Sequence, residues 1–217
     1  MPTCLSEVVF GSFLVYSPRG DAPVSIQSRT LTYQIKNDRE GTIPRLAERL
    51  AKEITATDSA RPLGQILGPE ATLVPCPRSS LLVKGALWPS ERIAKALVAA
   101  GLGKQVNPWL ERMKAVPKSS TAKPGGRPVI QDHLDSMRVS AESTMFPPGT
   151  LVVIDDVITK GATLIAAASL LKEIFPNSEV KVFALVRTLG LQPDIGRILD
   201  PCQGIITNRG GEADRQP

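Results

Sequence analysis

The chain has 217 residues, of which 42% are hydrophobic and 22% are charged, close to the average for soluble globular proteins. This composition can fill a core, which argues against wholesale disorder, and no apolar run reaches the roughly 20 residues that span a bilayer. The first ten residues carry Glu7 and no basic segment, so we expect no secretory signal and no membrane partner. The chain is predicted to be cytoplasmic.

The net charge of +5 is unevenly distributed along the chain. Acidic and basic residues balance over 1–77, whereas 78–127 has a surplus of eight positive charges. This basic segment predicts an anionic partner, either a polyphosphate or a nucleic acid or both, although a solvated basic surface is also compatible with it. The basic residues beyond the needs of one small ligand are Arg92, Lys95, Lys104, Lys118 and Lys123.

The cysteines Cys4, Cys76 and Cys202 lie far apart, and His133 is the only histidine. These residues supply too few ligands for a Cys/His zinc site. His133 lies in a polar, loop-like stretch, so a Cys–His nucleophile pair is not expected. Three free thiols in a reducing compartment are the simplest interpretation.

In chain order, residues 8–16 and 28–35 are rich in β-forming side chains and are separated by turn residues, which predicts an antiparallel hairpin or meander. Gly11 is expected to break the first of these runs. Apolar side chains recur at helical spacing over 43–54 and predict a helix. Residues 71–75 predict a short strand, and a second helix is predicted over 90–100.

The last third predicts a βαβ unit. Residues 151–154 form a fully apolar strand typical of a parallel sheet, 161–175 a helix and 180–186 a further strand. Such units have right-handed crossovers, and ligands of parallel sheets bind at the carboxyl ends of the strands. We therefore expect the functional residues at that edge of the sheet.

Two further segments lack strong periodicity. Residues 113–128 are rich in glycine, proline, serine and lysine, which predicts a flexible loop that closes over a site. The polar residues 207–217 are expected to fray, which leaves 1–206 as one domain.

Two carboxylates, Asp155 and Asp156, follow the predicted strand, and a turn of small residues at 159–163 leads directly into the helix. Such a turn directs backbone N–H groups into one concavity at the positive end of a helix dipole, which suits a phosphate. Adjacent carboxylates beside a phosphate can hold ribose hydroxyls or, through water, Mg²⁺. A strand end followed by a helix cap without any ligand is the alternative.

This arrangement of an apolar strand, two acidic residues, two apolar residues and Thr-x-Gly-x-Thr resembles the signature of type I phosphoribosyltransferases, which bind 5-phosphoribosyl 1-diphosphate (PRPP). The GxxxxGK[ST] motif of a P-loop is absent. Residues 73–78, Lys84-Gly85, the 90–100 helix and parts of 110–139 are similar to ComF-type, competence-associated members. The resemblance covers about residues 30–190. It implies an α/β fold of type I, with a central, mainly parallel sheet flanked by helices and a small hood.

The resemblance implies an enzyme that binds PRPP with Mg²⁺ and transfers the phosphoribosyl group to a nitrogenous acceptor, releasing pyrophosphate. It assigns the 5′-phosphate to Thr159, Lys160, Gly161, Ala162 and Thr163. It assigns the ribose hydroxyls, the metal and catalysis to Asp155 and Asp156. It assigns the pyrophosphate to the turn at 77–79, with Arg78, Ser79, Lys84 and Arg112. A catalytically weak module that senses PRPP or nucleotides, or binds single-stranded nucleic acid, is the alternative on the same fold, and a homodimer is a further expectation.

The chain departs from the family pattern in several places. It has no four-cysteine zinc module, and Lys84 to Trp88 stands where the family has Arg-Gly-Phe-Asn. Lys160 replaces the threonine that usually precedes the loop glycine, and its side chain either adds charge to the phosphate contact or points to solvent. Members that use 6-oxopurines carry an acid at the position of Thr159, so the resemblance implies an acceptor other than hypoxanthine or guanine.

Overall fold

The computed structural model describes residues 3–83, 85–117, 126–140, 149–190 and 192–217. Its strands are β1 (Glu7–Tyr16), β2 (Thr72–Pro75), β3 (Gln105–Val106), β4 (Leu110–Arg112), β5 (Met137–Val139), β6 (Thr150–Ile158), β7 (Glu179–Thr188), β8 (Leu199–Arg209) and β9 (Glu212–Gln216). Its helices are α1 (Pro23–Lys36), α2 (Thr42–Ala56), α3 (Pro89–Ala99), α4 (Ile130–Leu134) and α5 (Ala162–Ile174), with a 3₁₀ turn at Arg61–Gln65.

Seven strands form the central sheet, in the order β3-β2-β6-β7-β1-β8-β9, and β4 pairs with β5 in a separate antiparallel ribbon. The pairings from β3 across to β1 are parallel, whereas β8 joins β1 and β9 joins β8 in antiparallel fashion. Helices cover both faces of this sheet. The prediction of an α/β fold with a mainly parallel central sheet is confirmed, as is the β6-α5-β7 unit.

The burial of β6 shows how the sheet organises the core. Leu151 and Val153 pack in a cluster with α4 and α5, whereas Val152 and Ile154 pack on the other face with α1, α2 and α3. Successive side chains of a strand point to opposite faces, so a strand covered on both sides must be apolar throughout. This explains the continuous apolar run, and burial of residues 164–171 explains why α5 is apolar on nearly every side.

The predicted strand at 28–35 is wrong, because this segment belongs to helix α1. The buried residues of α1 are Ser25, Ser28, Thr32 and Ile35, three or four positions apart, so the helix buries small hydroxyl side chains rather than an apolar stripe. The Thr32 hydroxyl donates to the Ser28 carbonyl at 2.7 Å, which satisfies it inside the core. β1 also runs uninterrupted through Gly11, where a Cβ would lie 2.8–2.9 Å from side chains of Ile66 and Leu63.

The predicted fraying of 207–217 is also wrong, because β8 and β9 form an antiparallel hairpin at the edge of the sheet. Its turn is Gly210-Gly211, with φ values of 62° and 94°. Type I′ hairpin turns, which match the strand twist, need positive φ at both central positions, and glycine adopts it without strain. The Asn208 side chain accepts the Gly211 N–H at 2.8 Å, and Ala213 is buried, so the hairpin is both closed and packed.

Strand register brings two distant segments to the same edge of the sheet. β2 pairs with β6 so that Pro75 lies opposite Ile154, and the Cys76 N–H donates to the Ile154 carbonyl at 2.8 Å. The turn that follows β2 therefore lies beside Asp155. Within the described residues, no helix is long and apolar enough to cross a membrane.

Candidate active site

A cavity of about 770 Å³ lies at the carboxyl ends of β2 and β6. The predicted site residues that the structure describes all line it: Arg78, Ser79, Arg112, Asp155, Asp156, Thr159, Lys160, Gly161, Ala162 and Thr163. Lys84, the remaining predicted residue, lies outside the described residues. Within the predicted set, residues as far as 85 positions apart in sequence (78 and 163) thus meet around one space.

The acidic pair lies within β6 rather than beyond it, because the strand continues to Ile158. Burial raises the pKa of Asp155 well above its usual value, and repulsion from Asp156 adds to the effect. The Ser90 hydroxyl and the Asp156 N–H donate to Asp155 Oδ1 at 3.1 and 2.9 Å, which partly opposes that rise. Two crowded carboxylates favour a ligand that brings hydroxyl donors or a cation.

The donors around Asp155 and Asp156 fit Mg²⁺. Among the described residues, no group of three or more His, Cys, Asp or Glu side chains could hold a metal by itself. Mg²⁺ typically takes one or two carboxylates and completes its shell with water and substrate phosphate oxygens. The pair therefore suits a metal that arrives with a phosphorylated ligand better than one held by a closed protein cage.

Gly161 shapes the loop at 159–163. It caps α5 with φ at 97°, and a Cβ there would lie 2.8–3.0 Å from three side-chain atoms of Ile206 in β8. Both the backbone conformation and this contact favour glycine. The first N–H groups of a helix have no partners within it, so α5 presents its donors and its positive dipole end to the cavity.

Lys160 points to the rim of the cavity. Its Nζ lies 3.5 Å from Glu212 Oε2, and both side chains are more than half exposed. An exposed pair of this kind contributes little to stability. The Lys160 side chain is thus exposed to solvent and also lines the cavity, and a contact with phosphate stays a prediction.

Arg112 holds the opposite wall. Its Nε donates to the Arg78 carbonyl at 3.0 Å and its Nη1 to the Ser136 hydroxyl at 2.6 Å. Burial lowers its pKa, while Asp155 and the buried Cys76 oppose that change. Nη2 has no partner among the described residues. Arg112 therefore stabilises the turn at 77–79 through its hydrogen bonds, and its Nη2 remains without a partner among the described residues.

Cys76 lies directly under this wall and is buried. Burial raises the pKa of its thiol well above the usual value, and the nearby Asp155 adds to this. A thiol that stays protonated is a poor nucleophile. The expectation of an unreactive cysteine therefore has a physical basis in the structure.

His133 corrects the sequence interpretation, because it is neither exposed nor in a loop. It lies in helix α4, is 2% exposed, and its Nε2 is 3.2 Å from the Thr163 hydroxyl. Burial and the charge of Arg112 lower its pKa to about 4, against a smaller opposing effect of Asp132. The sequence hardly indicates this role, because Thr163, the partner of His133, is 30 positions away. That His133 is the single histidine of the chain was the one available signal.

Other lining residues also escaped the site prediction. Lys36 and Asn37 line the cavity from the end of α1, and Ser90 from the first turn of α3. Glu212 lines it from the hairpin that was expected to fray. None of them belongs to a local motif. Each reaches the cavity only because of how the sheet orders its strands and helices.

The predicted loop at 113–128 is described only in part. Residues 118–125 lie outside the described residues, while Pro117, Arg127 and Pro128 line the cavity. The prediction that this segment closes over a ligand stays a prediction.

Much of the basic surplus near α3 is paired. Arg92 lies 3.6 Å from Asp38, Lys95 2.8 Å from Glu91, and Lys104 3.2 Å from Glu70. Lys118 and Lys123 lie outside the described residues. The tryptophans of this region pack inward: Trp88 donates to the Cys76 carbonyl at 2.8 Å, and Trp109 stacks on Phe175 at 5.2 Å.

No family model matches the chain, and no curated protein matches it. Function is therefore inferred from the cavity and its residues.

Proposed function

We propose that this chain is a phosphoribosyltransferase of the type I fold, which binds PRPP with Mg²⁺ and transfers the phosphoribosyl group to a nitrogenous acceptor. The observation that carries the proposal is the shared cavity. The carboxylates of β6, the glycine-capped start of α5 and the turn after β2 all line it. A sugar bearing a phosphate at one end and a pyrophosphate at the other needs these three kinds of partner.

The charge of the lining supports an anionic ligand. Five basic side chains line the cavity, against three acidic ones, two of which are the proposed ribose and metal ligands. The basic residues are Lys36, Arg78, Arg112, Arg127 and Lys160. A cleft lined mainly by one sign of charge raises the local concentration of an oppositely charged ligand.

In the proposed reaction the bond from C1 of the ribose to the pyrophosphate oxygen breaks and a bond from C1 to the acceptor nitrogen forms. Positive charge develops on the ribose ring, and the carboxylates of Asp155 and Asp156 hold its hydroxyls. The N–H groups of 159–163 hold the 5′-phosphate, and the turn at 77–79 holds the departing pyrophosphate. Mg²⁺ bound by the acidic pair would neutralise charge on the pyrophosphate.

Calorimetric titration with Mg-PRPP tests the proposal. We expect the double variant Asp155→Asn, Asp156→Asn to bind at least about tenfold more weakly than the native chain, a loss of about 1.4 kcal/mol. The matched control is Asp58→Asn with Glu70→Gln, which also removes two carboxylates but from highly exposed positions outside the cavity. The control should bind like the native chain.

Two outcomes contradict the proposal. Equal Mg-PRPP affinity in all three proteins would exclude the acidic pair as the binding site. Tight binding of single-stranded DNA at physiological salt, with no acceptor base triggering pyrophosphate release, would favour the binding module instead. The packing of Trp88 and Trp109 against other parts of the chain counts against that alternative, because single-strand binding grooves need exposed aromatic stacking surfaces.

A further inference from the structure

The contact between His133 and Thr163 joins a buried imidazole to the loop at the start of α5. Thr163 lies in the first turn of α5 and lines the cavity, and His133 Nε2 lies 3.2 Å from its hydroxyl oxygen. His133 is 2% exposed, so its ring packs beneath the loop while still reaching the cavity wall. This hydrogen bond has two possible directions, and only one leaves the Thr163 proton free.

The other ring nitrogen decides between them. His133 Nδ1 is buried and has no hydrogen-bond partner among the described residues. A buried N–H without a partner is rarer in proteins than a buried acceptor without one. The cationic Arg112 acts on the same ring, and a positive charge favours a lone pair over an N–H. Both features favour an unprotonated Nδ1, which puts the single proton of a neutral ring on Nε2.

Burial supports a neutral ring, because it lowers the pKa of His133 to about 4. The charged groups that act on the ring are Arg112 from β4, which also lowers the pKa, and Asp132 from α4, which raises it. A neutral ring with its proton on Nε2 donates to the Thr163 oxygen. The Thr163 hydroxyl then has its own proton left to give.

The position of His133 is held by a chain of hydrogen bonds that crosses the site. Arg112 donates to the Arg78 carbonyl and to the Ser136 hydroxyl. That hydroxyl donates to the Asp132 carbonyl at 2.6 Å and lies 3.2 Å from the His133 carbonyl. The turn at 77–79 and the loop at 159–163 are thus connected through this histidine. These bonds hold the backbone of α4 that carries His133, and the direction of the Nε2···Thr163 hydrogen bond then depends on which ring nitrogen carries the proton.

We propose that His133 is a positioning residue that, as a neutral imidazole protonated at Nε2, donates to Thr163 and so directs the Thr163 hydroxyl proton toward a bound phosphate monoester. The inference rests on the proposed function in taking that phosphate to be the 5′-phosphate of PRPP. A fully ionised phosphate accepts hydrogen bonds and donates none, so a hydroxyl whose oxygen already accepts from His133 and whose proton is free to donate suits it.

The first test is nitrogen NMR of the ligand-free protein, where the single histidine gives one unambiguous imidazole. We expect a protonated-type signal at Nε2 and an unprotonated-type signal at Nδ1 at neutral pH. A proton on Nδ1, or a charged ring, would overturn the inference whether or not the protein binds PRPP.

The second test is titration with ribose 5-phosphate. We expect His133→Leu to bind about tenfold more weakly, since the Thr163 hydroxyl is then no longer held with its proton toward the charged phosphate. His133→Gln, whose amide can still donate to Thr163, should recover most of the affinity. In a Thr163→Val background the His133→Leu change should have no further effect. Thermal unfolding of each variant separates lost binding from lost folding, and His133→Gln carries the test if His133→Leu does not fold.

The two proposals fail separately. Equal ribose 5-phosphate binding by native protein, His133→Leu and His133→Gln would overturn the role of His133 and leave PRPP turnover as the test of function. Binding that depends on His133, in a protein that releases no pyrophosphate with any acceptor, would retain the phosphate site and overturn the transferase. Absence of ribose 5-phosphate binding by the native protein would overturn this inference.

Discussion

Replacing Gly161 with alanine tests whether the loop at 159–163 is built around a residue without a side chain. The φ of 97° is unfavourable for an L side chain and costs about 1–2 kcal/mol. The new Cβ would also lie 2.8–3.0 Å from three atoms of Ile206, closer than real contacts allow, and such overpacking costs about 1–3 kcal/mol. We therefore expect Gly161→Ala to reduce the free energy of unfolding by about 3 kcal/mol.

Urea and thermal unfolding measure this loss, which corresponds to a Tm about 6–12 °C lower in a domain of this size. The control is Gly196→Ala, where a Cβ meets nothing within 4 Å and the backbone needs no positive φ. In an Ile206→Ala background the steric part should vanish and leave only the conformational cost of about 1–2 kcal/mol. The reasoning is refuted if Gly161→Ala is as harmless as the control, or if its cost is the same in both backgrounds.

Two further predictions concern Arg112 and His133, the buried basic side chains of the site. Arg112→Lys should lower the free energy of unfolding by about 1–3 kcal/mol, because lysine cannot bridge the Arg78 carbonyl and the Ser136 hydroxyl together. The control is Arg92→Lys at an exposed position, which should change it by no more than about 0.5 kcal/mol. Similar losses for both variants in urea unfolding would contradict the bracing role of Arg112. For His133, a folded pKa of about 4 lies below the unfolded value, so its contribution is fully present above about pH 6.5 and is lost as pH falls toward 4. The native protein should therefore lose up to about 3 kcal/mol more than His133→Gln between these pH values; parallel curves would show that His133 titrates normally.

Much of the fold follows from local pattern. The structure forms the elements that these patterns predict: a strand at the apolar run of β6, helices at the periodic segments of α2 and α3, and a strand end at the prolines that flank the end of β2. Each reflects a constraint that acts over a few residues, such as strand alternation, helical periodicity or the missing N–H of proline. The acidic pair and the loop after it belong to the same class, because strand, turn and helix start are contiguous.

The errors arose where burial did not require apolar side chains. α1 packs through Ser25, Ser28 and Thr32, so its helical periodicity is invisible to a hydrophobic pattern, and its β-branched residues favour a strand. The β8–β9 hairpin looks like a polar tail because it is an edge of the sheet. Its Gly210-Gly211 turn was the available signal, and pairing with β1 through β8 makes it part of the fold.

By itself the sequence determined the chemistry of each segment: which one has carboxylates, which one can cradle an anion and which ends a strand. Only the tertiary structure decided which segments meet. Parallel pairing of β2 with β6 sets the turn at 77–79 beside Asp155, and packing of α4 on α5 brings His133 to Thr163. Such contacts join residues tens of positions apart through strand order and helix packing, and no local periodicity encodes them.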